Sequence, residues 1–400
     1  MNEQNAPVVI VGGGLAAATA VSSLRDEGYA GPIVVFAAED HLPYERPPLS
    51  KGYLLGNDEL DAVYPKDEQW YRDNDVEVRT GTRVTAIDPE AHTVTADGKE
   101  EAYSALVLAT GSQPRAFGLA DDAGGPVHYL RTIEDSQALR TLFTKGATIG
   151  FIGAGWIGLE TAAAARNAGA EAIVWDTVPV PLARIVGEEV GELFAQLHRE
   201  HGVDLRLNST ITGIRRDGDQ LVVETADGST SVDALVVGVG VTPDVALAEA
   251  AGIATDNGVL VDEHLRTSAA DVYAVGDIAN VDHPTLHRRV RVEHWDTAIK
   301  HGETVAKNIA RGDAVADDLP YFFTDQYQLG MEYVGDPGPE GFDRVVITGD
   351  KEGPVGDRVF RAFWLRGDLV VAAMHVNDWD AIDRLRELVG TRVSDADLER

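Results

Sequence analysis

IGFIGAGWIGLETAAAARNAGAEAIVWD, residues 149–176, is the stretch whose reading decides the fold. An apolar run, Thr148–Ile152, leads into Gly153-Ala154-Gly155-Trp156-Ile157-Gly158. An alanine-rich helical segment follows, then a second apolar run that ends at Asp176. The order is strand, glycine turn, helix, strand. Gly153 makes the tight turn, Gly155 lets the backbone approach a pyrophosphate, and Gly158 lets helix and strand pack closely. The helix N-terminus faces the phosphates, and Asp176 stands where it can accept hydrogen bonds from ribose hydroxyls. A glycine triplet alone is weak evidence. With the strand, helix and terminal acid in place it reads as a dinucleotide-binding βαβ unit.

The N-terminus repeats the plan. Val8–Val11 is a strand, Gly12-Gly13-Gly14-Leu15-Ala16-Ala17 the turn, a helix runs to about Glu27, and Ile33–Phe36 is the next strand. Ala17 is the accepted small variant of the third glycine. The acid is displaced, because Ala37 and Ala38 precede Glu39. Two such units predict two dinucleotides, usually a tightly held flavin and an exchangeable nicotinamide. The bland alternative is an ancient duplication with one copy now structural. The segment Val174–Val180 offers Asp176 and no Arg or Lys, which predicts NADH rather than NADPH.

Composition bounds the rest. A chain of 400 residues buries more than one core, and 44% apolar with 25% charged residues is ordinary for a globular protein. There is no run long and apolar enough to span a membrane, and MNEQNAP lacks a basic region followed by an apolar stretch, so a cytoplasmic protein is expected. The formal net charge of −32 disfavours nucleic acid and anionic lipid as partners. Zero cysteines rule out disulfides, Cys-ligated clusters and any relay through a protein dithiol or sulfenic acid.

Between the landmarks, His41–Lys51 carries three prolines and is irregular, with Ser50 expected to cap a helix near Lys51. Short strands are expected at Val76–Arg79, Arg83–Asp88 and His92–Ala96, then Ala105–Ala109 ending in Thr110-Gly111. Helices are expected at Thr132–Lys145, Asp296–Arg311 and Trp379–Leu388. A second strand set (Leu205–Leu207, Ile211–Arg215, Leu221–Thr225) precedes Ala234–Val239 and Gly240, so the two halves repeat one design. Val272–Val275 ends in Gly276-Asp277, an acid suited to a ribityl hydroxyl, and a basic, aromatic connection, Leu286–Trp295, follows. From Leu319 the composition turns aromatic and strand-rich. His198 and His201 are spaced to share a helix face, but the charged surroundings favour solvated histidines, and no metal is expected.

Gly12-Gly13-Gly14, Arg46-Pro47-Pro48-Leu49-Ser50-Lys51, Leu108-Ala109-Thr110-Gly111, Gly153–Glu160, Ala274–Asp277 and Arg291-Val292-Glu293-His294-Trp295 occur in this order. Together they resemble the FAD-dependent, NAD(P)H-linked ferredoxin reductases, relatives of apoptosis-inducing factor. The resemblance runs nearly end to end. It implies an α/β fold of two Rossmann-like dinucleotide-binding domains, glutathione-reductase-like, plus a C-terminal α+β domain. The expected boundaries are 1–115 with 243–319 for FAD, 116–242 for NAD, and 320–400 for the C-terminal domain.

What the resemblance implies for single residues follows the motifs. Gly12, Gly14 and Ala16, with Leu15, meet the FAD pyrophosphate. Arg46 and Lys51 contact the flavin side and Pro48 its ring. Val84 touches the adenine region, Ala109, Thr110 and Gly111 the cofactor's path, and Arg131 its outer portion. Asp277, beside Gly276, binds the ribityl chain, and Trp295, with Glu293 and His294, lies at the flavin edge. Relatives often carry the adenosine-ribose acid at the position of Ala38, so Glu39 is the candidate here. Gly153, Gly155, Trp156, Ile157, Gly158, Asp176, Val239 and Gly240 form the NADH side. Glu160 reaches the nicotinamide and pairs with Lys51, the two candidate catalytic residues.

The leading reading is an electron-transfer flavoenzyme that passes electrons from NADH through FAD to a [2Fe–2S] ferredoxin serving an oxygenase. His287, Arg288, Arg289 and Arg291 offer a local basic patch for docking it, though internal ion pairs or cofactor phosphate explain them nearly as well. A second reading keeps both cofactors and reduces a quinone or oxygen. A third is an NADH-sensing interaction protein like apoptosis-inducing factor. The physiological ferredoxin, the downstream oxygenase and the oligomeric state are not legible in the sequence.

Overall fold

The computed structural model describes residues 6–350 and 352–399. Its contacts divide the chain into two compact units. One gathers the residues up to Arg46 with Glu59–Gln113 and Val241–Pro320; the other gathers Pro47–Asp58, Pro114–Gly240 and the chain from Tyr321 onward.

The first unit is built on a five-stranded parallel sheet in the order Val272–Ala274, Ala105–Leu108, Val8–Val11, Ile33–Phe36, Val76–Arg79. The central strands are unbroken apolar runs because both faces are covered, and Val8–Val11 is wholly buried. The helices Leu15–Asp26 and Trp295–Ala310 pack closely: a Cβ on Gly302 would lie 2.7 Å from Thr19 Cβ. Val76–Arg79, expected as one of a set of short strands, extends the parallel sheet, while Val84–Asp88, Thr93–Ala96 and Lys99–Ala102 form a separate antiparallel insert. Strands Ala279–His283 and Arg288–Val290 pair antiparallel, the second within what the sequence suggested was a plain connection.

The second unit repeats the parallel design in the order Asp204–Arg206, Glu171–Trp175, Thr148–Ile152, Ala234–Val237, Val127–His128. Here too the strand after the helix, Asp204–Arg206, joins the parallel sheet. Helix Ile133–Leu142 begins at Thr132, whose side chain and that of Asp135 close a capping box. Five antiparallel strands follow, in the order Tyr321–Gln326, Leu329–Gly335, Leu369–Val376, Phe360–Arg366, Arg344–Gly349. Their apolar side chains Phe322, Met331, Trp364 and Met374 share one core with Phe151, Leu159, Phe194 and Leu197. Trp364 Nε1 donates to Val186 O (2.9 Å), a carbonyl next to the break that Gly187 makes in the helix Ala183–Glu200. The last long helix runs Ile382–Leu388, so Trp379, expected at its start, lies outside it and is 60% exposed. Among the described residues, no helix is long and apolar enough to cross a membrane.

Candidate functional site

In the first unit the turn after Val11 is forced on glycine. Gly12 has φ +142°, and a Cβ there would lie 2.1 Å from Ala109 O. A Cβ on Gly14, by contrast, meets nothing within 4 Å, so the turn opens onto free space. The helix Leu15–Asp26 starts at Gly14 with no side-chain cap and no acid in its first turn. Its bare amides and positive dipole end therefore face an open cradle, the chemistry a pyrophosphate needs. FAD fits this cradle.

Around it the fold collects most of the expected residues. Tyr44 N donates to Gly13 O (3.3 Å), strapping the loop after Glu39 onto the glycine turn. Tyr44 hydroxyl donates to Glu39 Oε2 (2.5 Å), and Arg46 Nη2 reaches Glu39 Oε1 at 3.0 Å. Burial pushes the Tyr44 phenol up, so it stays a donor and holds the Glu39 carboxylate in place. Trp295 Nε1 donates to Glu45 Oε2 (2.9 Å) on the same loop. Gly276 abuts Ala16, since a Cβ there would lie 3.2 Å from Ala16 Cβ, and its N–H donates to His301 Nδ1 at 3.2 Å. Arg291 Nη1 donates to Asp277 O (3.1 Å) and to Glu293 Oε1 (2.6 Å). Arg291 is thus engaged inside the unit, the internal alternative that the sequence left open. Thr110 hydroxyl donates to Asp244 O (2.7 Å), and Gly111 O accepts from Asp244 N (2.9 Å), so these two brace the next connection. Val84 is buried in the core, and His294 is the N-cap residue of Trp295–Ala310. Pro48, Lys51 and Arg131 belong to the second unit.

The second unit holds a matching cradle. Gly153 has φ +105°, and a Cβ there would lie 2.4 Å from Gly238 O. A Cβ on Gly158 would lie 2.0 Å from Gly153 O, which fixes the close helix–strand contact. Helix Trp156–Asn167 starts at Gly155 uncapped and without an acid in its first turn, so a nicotinamide dinucleotide fits here as FAD does in the first. Gly240 faces open space, a Cβ on Gly155 would meet only Gly238 O at 3.9 Å, and Ile157 is exposed, whereas Trp156 packs on Phe194 and Phe322. Asp176 Oδ2 accepts from Ala154 N (2.7 Å) and Oδ1 from Val178 N (3.2 Å), so the acid is tied to the glycine turn. Strand pairing sets Arg206 beside Trp175, a cation that the local sequence does not show; its guanidinium lies over the indole and bonds Asp204 and Thr230.

Lys51 and Glu160 meet: Nζ stands 2.8 Å from Oε2, with the lysine side chain 18% and the glutamate 5% exposed. Lys51 also lies over the Phe323 ring. Ser50 does not cap the short helix Gly52–Leu55, whose N-cap is Lys51; its hydroxyl donates to Glu160 Oε2 at 2.5 Å. His198, expected on a solvated face, is fully buried, because the strand Tyr321–Gln326 covers it; it bonds Gln326 Oε1 at 2.7 Å. Sequence reasoning missed Tyr44 and Thr324, and it gave Ser50 a helix-capping role in place of its bond to Glu160. Tyr44 and Ser50 lie inside the quoted Pro-rich loop, which was their only signal.

Residues 6–302 match the family described as pyridine nucleotide-disulphide oxidoreductase, and residues 321–399 match one described as reductase C-terminal. The chain belongs to the pyridine nucleotide-disulphide oxidoreductase family. It is a member without a cysteine, so no disulphide of its own takes part. It is 40% identical over 387 residues to the ferredoxin–NAD(+) reductase component of an anthranilate 1,2-dioxygenase system from Burkholderia cepacia, covering 96% of this chain and 94% of that one. It is 34% identical to a putidaredoxin reductase of Pseudomonas putida, over 97% and 93% of the two chains. Among solved structures, the covalent putidaredoxin reductase–putidaredoxin complex superposes with a TM-score of 0.91 at 33% identity, covering 97% of this chain and 94% of that one.

Proposed function

We propose that this oxidoreductase is an FAD-containing ferredoxin–NAD(+) reductase, which passes electrons from NADH to a [2Fe–2S] ferredoxin that serves an oxygenase. The observation that carries the reading is one open, uncapped glycine cradle built twice in a chain that has no cysteine. FAD, when bound, supplies the conversion of a two-electron donor into single electrons. With no thiol available, the acceptor takes electrons without a protein relay of that kind. The names of the relatives point to ferredoxin as that acceptor.

In this reading Gly12–Ala16 hold the FAD pyrophosphate, Glu39 the adenosine ribose, and Asp277 the ribityl chain. Gly153–Gly158 and Asp176 hold NADH. The Lys51 ammonium, fixed by Glu160, opposes negative charge that develops during hydride transfer. The functional division follows residues 1–115 with 243–319, 116–242, and 320–400, in a protein of the cytoplasm. Half-buried Arg288 and exposed Arg289 form the docking patch, while Arg291 serves the Asp277 turn. Charge reversal at Arg288 and Arg289 is expected to raise the KM for ferredoxin several-fold while leaving NADH-driven ferricyanide reduction unchanged. The defining experiment is a visible spectrum of the purified protein and an NADH titration with and without a [2Fe–2S] ferredoxin, read through cytochrome c. A colourless protein, or turnover equally fast with quinone or oxygen alone, overturns the assignment.

A further inference from the structure

Glu160 carries more hydrogen bonds than an ion pair with Lys51 requires. Oε2 accepts from the Ser50 hydroxyl (2.5 Å) and from Lys51 Nζ (2.8 Å), and Oε1 accepts from the Thr324 hydroxyl (2.6 Å). Thr324 has one hydroxyl proton, and the carboxylate takes it. The lone pairs of Oγ1 are left to accept, and Gln326 Nε2 donates to them at 3.2 Å. That fixes the amide of Gln326, whose Oε1 is turned to His198 Nε2 at 2.7 Å. A ring nitrogen facing a carbonyl oxygen must carry the proton, so His198 is the neutral Nε2–H tautomer. Its other nitrogen, Nδ1, is buried without a hydrogen-bond partner, which fits a ring that does not charge. Donation thus runs one way, from His198 through Gln326 and Thr324 to Glu160.

The geometry needs particular elements. Thr324 and Gln326 are two apart on the strand Tyr321–Gln326 and so share a face. His198 comes from the last turn of the helix Ala183–Glu200, and Glu160 from the helix behind the second glycine turn. All four side chains are nearly or wholly inaccessible to water. Apolar residues at these two strand positions would fill this space at lower cost than Thr324 and Gln326.

We propose that Thr324 is a positioning residue for the reduction of this enzyme by NADH, its hydroxyl oriented by Gln326 and His198 so that it fixes the Glu160 carboxylate and, through it, the Lys51 ammonium. The inference rests on the reading of Lys51 and Glu160 as the residues at the reacting groups. The strand from the C-terminal region thereby sets the place of a charge supplied by the Pro-rich loop.

The test is stopped-flow reduction of the FAD-loaded enzyme by NADH, with FAD content and the dissociation constant for NADH measured in parallel. Thr324→Val is expected to slow the limiting rate about tenfold, the size of one lost hydrogen bond to a charged group, with the NADH constant within about twofold. Thr324→Ser, which keeps the hydroxyl, is expected to restore the wild-type rate. Gln326→Leu, which frees the hydroxyl to turn, is expected to slow reduction about threefold. Lys51→Ala and Glu160→Gln run beside them. If both of these reduce at the wild-type rate, the reading of the pair fails and the proposal falls with it. If they are slow but Thr324→Val is not, the positioning role alone is overturned. A Thr324→Ser enzyme as slow as Thr324→Val overturns it as well, since packing rather than the hydroxyl then matters. Should Thr324→Val not accumulate as yellow protein, Gln326→Leu decides, and a wild-type rate there refutes the proposal.

Discussion

Replacing Lys51 by alanine separates the stability of the buried pair from its part in electron transfer. Glu160 is 5% exposed and keeps two hydroxyl donors, Ser50 and Thr324, but loses its only salt-bridge partner among the described residues. Removing one member of a buried ion pair costs about 3–5 kcal/mol. The partial exposure of Lys51 and the two remaining donors place this site at the lower end, about 3 kcal/mol. The double variant Lys51→Met/Glu160→Gln removes both charges and is expected to recover most of that loss. In rate, a fixed charge opposite developing negative charge is worth about a hundredfold or more. The 18% exposure of Lys51 argues for the lower figure, about a hundredfold slower flavin reduction by NADH. FAD content is expected to stay at wild-type level, because the first cradle lies on other residues. Stopped-flow reduction of Lys51→Ala at the wild-type rate refutes the reasoning, whatever happens to stability.

Other consequences can be measured independently. His198 and His301 are buried, and burial pushes each down to about 4. Unfolded histidine titrates near ~6.5, so the unfolded chain binds more protons below that pH. The stability they contribute is fully present above about pH 6.5 and is lost as pH falls toward 4, about 2 kcal/mol for each by pH 5. Urea midpoints at pH 7.5 and 5 check this, and His198→Phe is expected to lose about half of the decline. Gly12→Ala drives a Cβ to 2.1 Å from Ala109 O and is expected to abolish FAD retention, read as loss of flavin absorbance after desalting. Retention of stoichiometric FAD contradicts it. Asp176→Ala frees Ala154 N and removes the ribose acceptor, so kcat/KM for NADH is expected to fall about 10–100-fold with the flavin spectrum unchanged. A relative gain for NADPH accompanies it, since the repelling carboxylate is gone.

The parts of the site that were legible are those whose chemistry is local in sequence. A glycine turn, the helix it opens and the acid that ends the next strand sit within one βαβ unit, and their roles are set by backbone geometry, so both cradles could be read from residue order. Arg206 shows where locality stops. Residues 174–180 hold no cation, yet parallel pairing lays Arg206 beside Trp175. His198 fails for the same reason: its helix carries Glu188, Glu189, Glu192 and Arg199 on outer positions, and only a strand more than a hundred residues later covers its inner face. That strand was itself hard to see. In Tyr321-Phe322-Phe323-Thr324-Asp325-Gln326, the buried positions include Thr324 and Gln326, which in isolation read as a polar loop. A strand can bury such residues only when each polar atom finds a partner, and here Glu160, His198 and the two side chains satisfy one another in sequence. The polar end of this strand therefore owes its place in the sheet to the carboxylate it serves, and the departure from apolar alternation at Thr324 and Gln326 is itself the mark of the site.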